Sequence, residues 1–269
     1  MKKSIVVSIQ PTKFSALAFK EDYEESIKKV ADLGFDGAEL AVRNPKDLRV
    51  DDVINIIKEN NLEVPAIGTG QAYGEEGLSF SDPDGTIRRM AVERIKDQIV
   101  FASHFDAQVI IGLIRGIIEK DVNKTKAEEW TIDCLKKCTE FAKKYNIGLT
   151  LEPVNRYESN FINTLNEGIE FIKRVGLSNL GLLADTFHMN IEEISIYDSI
   201  IQAKDYITHV HFADSNRWAP GCGHLDFEKI VQTLKKVDYQ GYVSAEILPF
   251  PDSDSCARLT AEHLNKIKF

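Results

Sequence analysis

Apolar and polar positions along the chain keep to two rhythms that take turns. Short runs of strand character are each followed by a longer stretch in which apolar residues recur at helical spacing. The pattern predicts strands over Ile5–Ser8, Ala38–Val42, Val64–Ile67, Ala107–Ile111, Ile147–Leu151, Gly181–Ala184, Ile207–Val210 and Tyr242–Ala245. After them it predicts helices over Tyr23–Leu33, Val53–Lys58, Thr86–His104, Lys126–Tyr145, Thr164–Val175, Ile191–Ala203, Asp226–Val237 and Ser255–Lys266. Gly34 stops the first helix, and Ser81-Asp82-Pro83-Asp84 supplies turn and cap residues ahead of the third. Gly68-Thr69-Gly70-Gln71-Ala72-Tyr73-Gly74 reads as an extended, glycine-rich loop.

Strict alternation of strand and helix implies parallel strands joined by right-handed crossovers. Eight such units in a chain of this length point to an α/β fold, a (β/α)₈ barrel occupying residues 1–269 as a single domain. An open doubly wound sheet is the alternative. It would spread the strand ends along a line instead of gathering them in a ring.

Four of the strands close on the same kind of residue. Leu149-Thr150-Leu151 runs into Glu152, with Pro153 behind it to stop the strand; Gly181–Ala184 runs into Asp185, Ile207–Val210 into His211, and Tyr242–Ala245 into Glu246. Alternate residues of a strand share a face, so Thr150 lies on the side of Glu152, Leu183 on that of Asp185 and Ser244 on that of Glu246. Leu182, Ala184, Val243 and Ala245 would then face covering helices. In a parallel barrel the C-terminal strand ends lie together, so the four polar ends converge although far apart in sequence. Any single acidic residue there could equally be a helix cap.

Bulk properties narrow the chemistry. With 33 Lys and Arg against 42 Asp and Glu, the formal charge of −9 disfavours a polyanionic partner, because phosphate contacts need cationic side chains. Cys134, Cys138, Cys222 and Cys256 lack paired metal spacing and read as buried reduced thiols. Met1-Lys2-Lys3 followed by Ser4-Ile5-Val6-Val7 reads as a first strand, since its apolar run is too short for a leader peptide. No stretch approaches the ~20 apolar residues of a membrane span. The expected setting is therefore cytoplasmic, with a small-molecule partner and neither nucleic acid nor membrane.

Three carboxylates and one imidazole form a hard, oxygen-rich set suited to one divalent ion, Mn²⁺, Mg²⁺ or Co²⁺. Such an ion can chelate a carbonyl and a neighbouring hydroxyl and stabilise the enediolate formed when the carbon between them loses its proton. Carboxylates on opposite faces of that plane could remove the proton and return one from the other side, which is epimerisation. Glu152 and Glu246, from strands five and eight, are the natural acid–base pair. Asp185 and His211 would hold the ion, and His209, deeper on the same face, would support it or fill the core.

The chain resembles the ketose 3-epimerases of the xylose isomerase-like TIM barrels, a group that includes the tagatose and psicose 3-epimerases. The likeness spans essentially the whole sequence and is carried by Leu151-Glu152-Pro153-Val154-Asn155-Arg156-Tyr157-Glu158, Ala184-Asp185-Thr186-Phe187-His188-Met189-Asn190-Ile191-Glu192-Glu193, His209 through Arg217, and Ala245-Glu246. The resemblance implies metal ligation by Glu152, Asp185, His211 and Glu246, usually of Mn²⁺, and exchange of the C3 proton between the two glutamates. It further implies substrate contacts from Glu158, His188 and Arg217, and assembly as a homo-oligomer, a dimer or tetramer.

A finer likeness runs through Gly68–Tyr73, Ile110–Gly116 and Asp214–His224, which are similar to the 5-keto-L-gluconate epimerases of inositol catabolism. It implies a keto-acid substrate pair, 5-keto-L-gluconate and D-tagaturonate. Arg115 is the guanidinium expected to grip the remote carboxylate, with Gln71 adding amide donors. Trp218 to His224 reads either as a lid over the sugar or as an ordered packing loop. The rival functions are a neutral-ketose 3-epimerase, an aldose–ketose isomerase, an apurinic endonuclease barrel and a non-catalytic sugar-binding barrel.

Overall fold

The computed structural model describes residues 1–269 throughout. In chain order its elements are β1 (Lys2–Ser8), α1 (Tyr23–Asp32), β2 (Gly37–Ala41), α2 (Val50–Glu59), β3 (Ala66–Gly68), α3 (Gly70–Glu76), α4 (Gly85–Ala102), β4 (Gln108–Ile111), α5 (Lys124–Lys143), β5 (Leu149–Leu151), α6 (Leu165–Val175), β6 (Leu180–Asp185), α7 (Thr186–Glu192), α8 (Ile196–Gln202), β7 (Ile207–Phe212), α9 (Phe227–Lys236), β8 (Tyr242–Ala245) and α10 (Ser253–Lys266). The strands pair in sequence order, each parallel to the next, and β8 returns to β1 to close the barrel. The open-sheet alternative is thereby excluded.

Strand alternation divides the core into two layers. Leu149, Leu151, Leu182, Ala184, Val243 and Ala245 belong to a cluster of 68 buried residues between sheet and helices. Leu183, one residue out of phase with Leu182, instead meets Ala66 and Ile110 in a small separate cluster inside the barrel. Each fully buried Leu or Ile is worth about 1.5–3 kcal/mol of desolvation, so slipping any strand by one residue would exchange the layers at large cost. Helix α6 comes especially close to the sheet: a Cβ on Gly168 would lie 2.6 Å from the Leu182 side chain.

Most helices start on the caps expected of them. Asp84 accepts from the Thr86 amide at the head of α4, and Thr164 with Glu167 forms a reciprocal capping box on α6. Two local expectations need correction. The stretch after β3 is not an extended loop but the short helix α3, which its three glycines and polar residues disguise; Gly77, at φ 69°, ends it in the left-handed region. The single helix expected over residues 191–203 is two, α7 and α8, because Glu193 turns extended and Ser195 caps a new start on the Asp198 amide. All four cysteines are free; three are buried and Cys222 is partly exposed.

The segment from Ser215 to Leu225 is an ordered knot. The buried carboxylate of Asp214 accepts from the amides of Ser215, Gly221 and Leu225 at 2.8, 2.8 and 3.1 Å, and the backbone closes a turn from Asp214 to Trp218. This favours the packing-loop reading of Trp218 to His224 over a lid. No helix is long and apolar enough to cross a membrane.

Candidate active site

The four expected ligand residues meet at the C-terminal mouth of the barrel. Glu152 follows β5 directly; its amide makes a last ladder bond to the Ile111 carbonyl at 3.1 Å, and Pro153 has no N–H with which to continue. Asp185 is the final residue of β6, His211 the penultimate residue of β7, and Glu246 the residue after β8. One potential ligand atom from each lies within 4.8 Å of all the others. His211 Nδ1 is 3.6 Å from Asp185 Oδ2, 3.8 Å from Glu152 Oε1 and 4.0 Å from Glu246 Oε2.

Asp185 answers the question of cap or ligand by being placed for both. Its Oδ1 accepts from the amides of Phe187 and His188 at the start of α7, at 2.7 and 3.2 Å, while Oδ2 is buried without a partner. His211 Nδ1 is likewise buried and unpartnered. Buried polar atoms are ordinarily satisfied. A carboxylate oxygen and a ring nitrogen left open toward each other and toward two more carboxylates fit a divalent cation, which is the test this donor set passes.

Electrostatics in the cluster are strained in the way such a cation would relieve. Burial, followed by the charge of Glu246, pushes the Glu152 carboxyl up to about 8. Burial also raises Glu246, against the pull of Arg217. Burial opposes charge on His211, but Glu39 and the other carboxylates outweigh it and lift its pKa well above the ordinary histidine value. The protein alone thus spreads protons over groups that a cation would claim.

Around this centre lies a cleft whose lining includes a contiguous apolar group, Val6, Leu17 and Ala41 with Phe14 against them. Arg217, Glu158 and His188 line it. Arg217 sits at φ 62° and donates to Glu246 Oε2 at 2.8 Å and Glu158 Oε1 at 2.9 Å, with its guanidinium over the Phe187 ring. His188 Nδ1 faces two N–H donors of Asn155, the backbone amide at 3.3 Å and the side chain at 2.8 Å. Its proton therefore resides on Nε2, 3.9 Å from Glu152 Oε1. Burial lowers its pKa to about 4, so the ring is a neutral donor.

Of two further expected substrate contacts, Arg115 lies away from the cleft and Gln71 lines it with its amide nitrogen engaged by Ser8. Arg115 is fully buried and absent from the cleft lining; a three-residue 3₁₀ turn, Leu113–Arg115, swings it beneath the loop after β5. There it donates to the carbonyls of Gly112, Phe161 and Ile162 at 3.1, 3.1 and 3.0 Å, so it braces two loops and grips no carboxylate. Gln71 does line the cleft, but its amide nitrogen donates to Ser8 Oγ at 2.8 Å. Ser8 must accept there because its own proton goes to the Gln10 carbonyl, which leaves Gln71 with a buried, unpartnered Oε1 acceptor and a single N–H not engaged by Ser8.

Sequence reading missed two contributors. Glu39, in the middle of β2, accepts from the Nε2 atoms of both His209 and His211. Its signal was an acidic residue inside an apolar strand. Gly112 lies against the catalytic candidate: a Cβ there would sit 2.3 Å from Glu152 Oε2. Gly112→Ala is therefore expected to push that carboxylate aside and lower turnover by about 10²-fold, the usual cost of an ångström's misplacement, with little change in melting temperature. Steady-state rates and a thermal melt on the same preparation check it.

Comparison with known proteins agrees with this geometry. The family model described as the xylose isomerase-like TIM barrel matches residues 27–267. The chain is 34% identical over 235 residues to a D-psicose 3-epimerase of Ruminiclostridium cellulolyticum, covering 85% of this chain and 79% of that protein. It is 28% identical over 241 residues to the 3-dehydro-D-guloside 4-epimerase of Escherichia coli K12, covering 85% and 88%. Among solved structures, the D-psicose 3-epimerase of Clostridium cellulolyticum H10 with D-tagatose superimposes with a TM-score of 0.83 at 26% identity, over 99% of this chain and 98% of that one. With its closed eight-stranded barrel and its acids gathered at the strand ends, the chain belongs to the ketose 3-epimerase family of xylose isomerase-like TIM barrels and is a carbohydrate epimerase.

Proposed function

We propose that the chain inverts the carbon next to the ketone of a keto-acid sugar, interconverting 5-keto-L-gluconate and D-tagaturonate, with Glu152 and Glu246 exchanging the proton. The observation that carries the reaction is the convergence of these two carboxylates with Asp185 and His211 at one cleft. A divalent cation, Mn²⁺ foremost and Co²⁺ or Mg²⁺ next, would be held by those four and would supply the positive charge that makes the C–H next to the ketone more acidic.

The remaining chemistry belongs to the chain. Arg217 holds Glu246 by one nitrogen and Glu158 by another, which fixes the direction from which Glu246 approaches the substrate. His188 Nε2–H, beside Glu152, donates to a substrate oxygen as the proton moves, and Glu158 accepts from a hydroxyl. The apolar wall of Val6, Phe14 and Leu17 keeps water from the carbon being inverted. The keto-acid pair is supported by the motifs Gly68–Tyr73, Ile110–Gly116 and Asp214–His224.

One observation favours a neutral ketose instead. Arg115 faces away from the cleft, and Arg217, the arginine that lines it, is already paired with two carboxylates. Comparing kcat/KM for D-tagaturonate and D-tagatose decides between the two. The keto-acid proposal expects the acid to be preferred by at least about tenfold, and equal or reversed rates overturn it. Chelation with EDTA is expected to abolish both activities, and added Mn²⁺ to restore them. The proposal extends to a cytoplasmic homo-oligomer without nucleic-acid or membrane partners, supported by the acidic charge of −9 and by the family resemblance.

A further inference from the structure

Glu39 is a buried acid on a barrel strand that no step above employs. It stands in the strand Gly37-Ala38-Glu39-Leu40-Ala41, is 1% exposed, and has no lysine or arginine as a partner. Its oxygens instead face two histidines 170 and 172 positions away: His209 Nε2 at 2.8 Å from Oε2, and His211 Nε2 at 3.0 and 3.1 Å from Oε1 and Oε2. The two rings meet edge to face with centroids 5.3 Å apart. β7 gains one residue on β6 between Ile207 and His209, and beyond that bulge His209 pairs with Leu183 and His211 with Asp185.

A carboxylate only accepts, so each ring must present a proton on Nε2. For His211 this leaves the lone pair on Nδ1, the atom that is buried, unpartnered and turned toward Asp185, Glu152 and Glu246. We propose that Glu39, itself held by His209, is the positioning residue of the site, setting the tautomer and ring orientation in which His211 offers Nδ1 to a divalent cation. The inference rests on the metal-site reading above. A buried acid serving stability alone would predict no link between Glu39 and ion affinity.

Glu39→Gln separates these possibilities, because it keeps the size of the side chain. A glutamine oxygen can accept from one ring, but its NH₂ group cannot meet a second N–H, so one histidine must change tautomer or rotate. Calorimetric titration of the metal-free protein with Mn²⁺ is expected to show affinity reduced by about 10–100-fold, as for other outer partners of ligating histidines. Long-range ¹⁵N NMR of the Mg²⁺-loaded protein, in which the ion occupies Nδ1, is expected to show His211 with its proton on Nε2 in the native chain and as a mixture of forms in the variant. Glu39→Asp should recover part of the affinity, and His209→Gln, which can still donate to Glu39, should lose less than Glu39→Gln. An affinity within twofold of the native value, or an unchanged His211 tautomer in folded Glu39→Gln, overturns the assignment. Failure of the native chain to bind Mn²⁺ at all would remove the metal site and this inference with it.

Discussion

Glu246→Gln is expected to cut epimerisation by about 10²–10⁴-fold, the range associated with losing a positioned general acid or base, while leaving the metal-free protein no less stable. Activity falls because the amide can neither take nor return the proton and is a poorer ligand than a carboxylate. Stability holds because Glu246 adds negative charge to a buried cluster that already contains Asp185 and Glu152, and that charge contributes to the elevated Glu152 pKa. The sign of the pH dependence follows. A carboxyl whose folded pKa of about 8 exceeds its unfolded value of roughly 4.3 favours the fold at low pH and loses that contribution as pH rises through 8. Without the Glu246 charge that decline should be shallower. Melting curves of the metal-free proteins from pH 5 to 9, with deuterium incorporation at the inverted carbon followed in D₂O, check both halves. A variant that inverts the carbon at the native rate sinks the two-glutamate scheme, whereas proton exchange without inversion, from the epimer that Glu152 faces, is what the scheme expects of it.

What the sequence made legible was whatever follows from local rhythm. Strand parity placed Leu182 and Leu183 in different layers and put Glu152, Asp185, His211 and Glu246 on one face, because side-chain direction in a strand is set by counting. Helix α3 escaped because Gly70, Gly74 and Gly77 carry the composition of a loop, and its conformation depends on packing against the turn after β4. The role of Glu39 escaped because its partners lie on β7, far along the chain, and only closure of the barrel brings them together. Arg115 was misplaced for a third reason. Its motif located the backbone correctly at the exit of β4, but a 3₁₀ turn of three residues decides whether a side chain enters the cleft or leaves it, and no periodicity can be read from three residues.

Arg115→Ala is accordingly expected to damage the fold and to leave substrate preference unchanged. The guanidinium spans the loop after β4, through Gly112, and the loop after β5, through Phe161 and Ile162, and it lies over the Phe161 ring. Ile162 is held at φ 57°, a left-handed conformation that costs a β-branched residue on the order of 1–2 kcal/mol and that the bond to its carbonyl helps to impose. The same junction is tied by Asn160, which exchanges two hydrogen bonds with the backbone of Ile118 at 2.8 Å. Truncation strands the Ile162 carbonyl, leaves those of Gly112 and Phe161 with only the Arg115 amide and the Ser159 hydroxyl as donors, and opens a cavity, a combination worth about 3–5 kcal/mol, which for a chain of this size lowers the melting temperature by on the order of 10 °C. Because the β5 loop also carries Glu158 into the cleft and holds Asn155 against Glu158 and His188, whatever protein stays folded should lose activity toward D-tagaturonate and D-tagatose by the same factor. Arg115→Lys should recover little, since a single ammonium cannot reproduce the planar fork that serves three carbonyls at once. An Arg115→Ala protein that melts at the native temperature yet loses the acid sugar selectively would return Arg115 to the substrate, and with it the carboxylate grip that the cleft otherwise lacks.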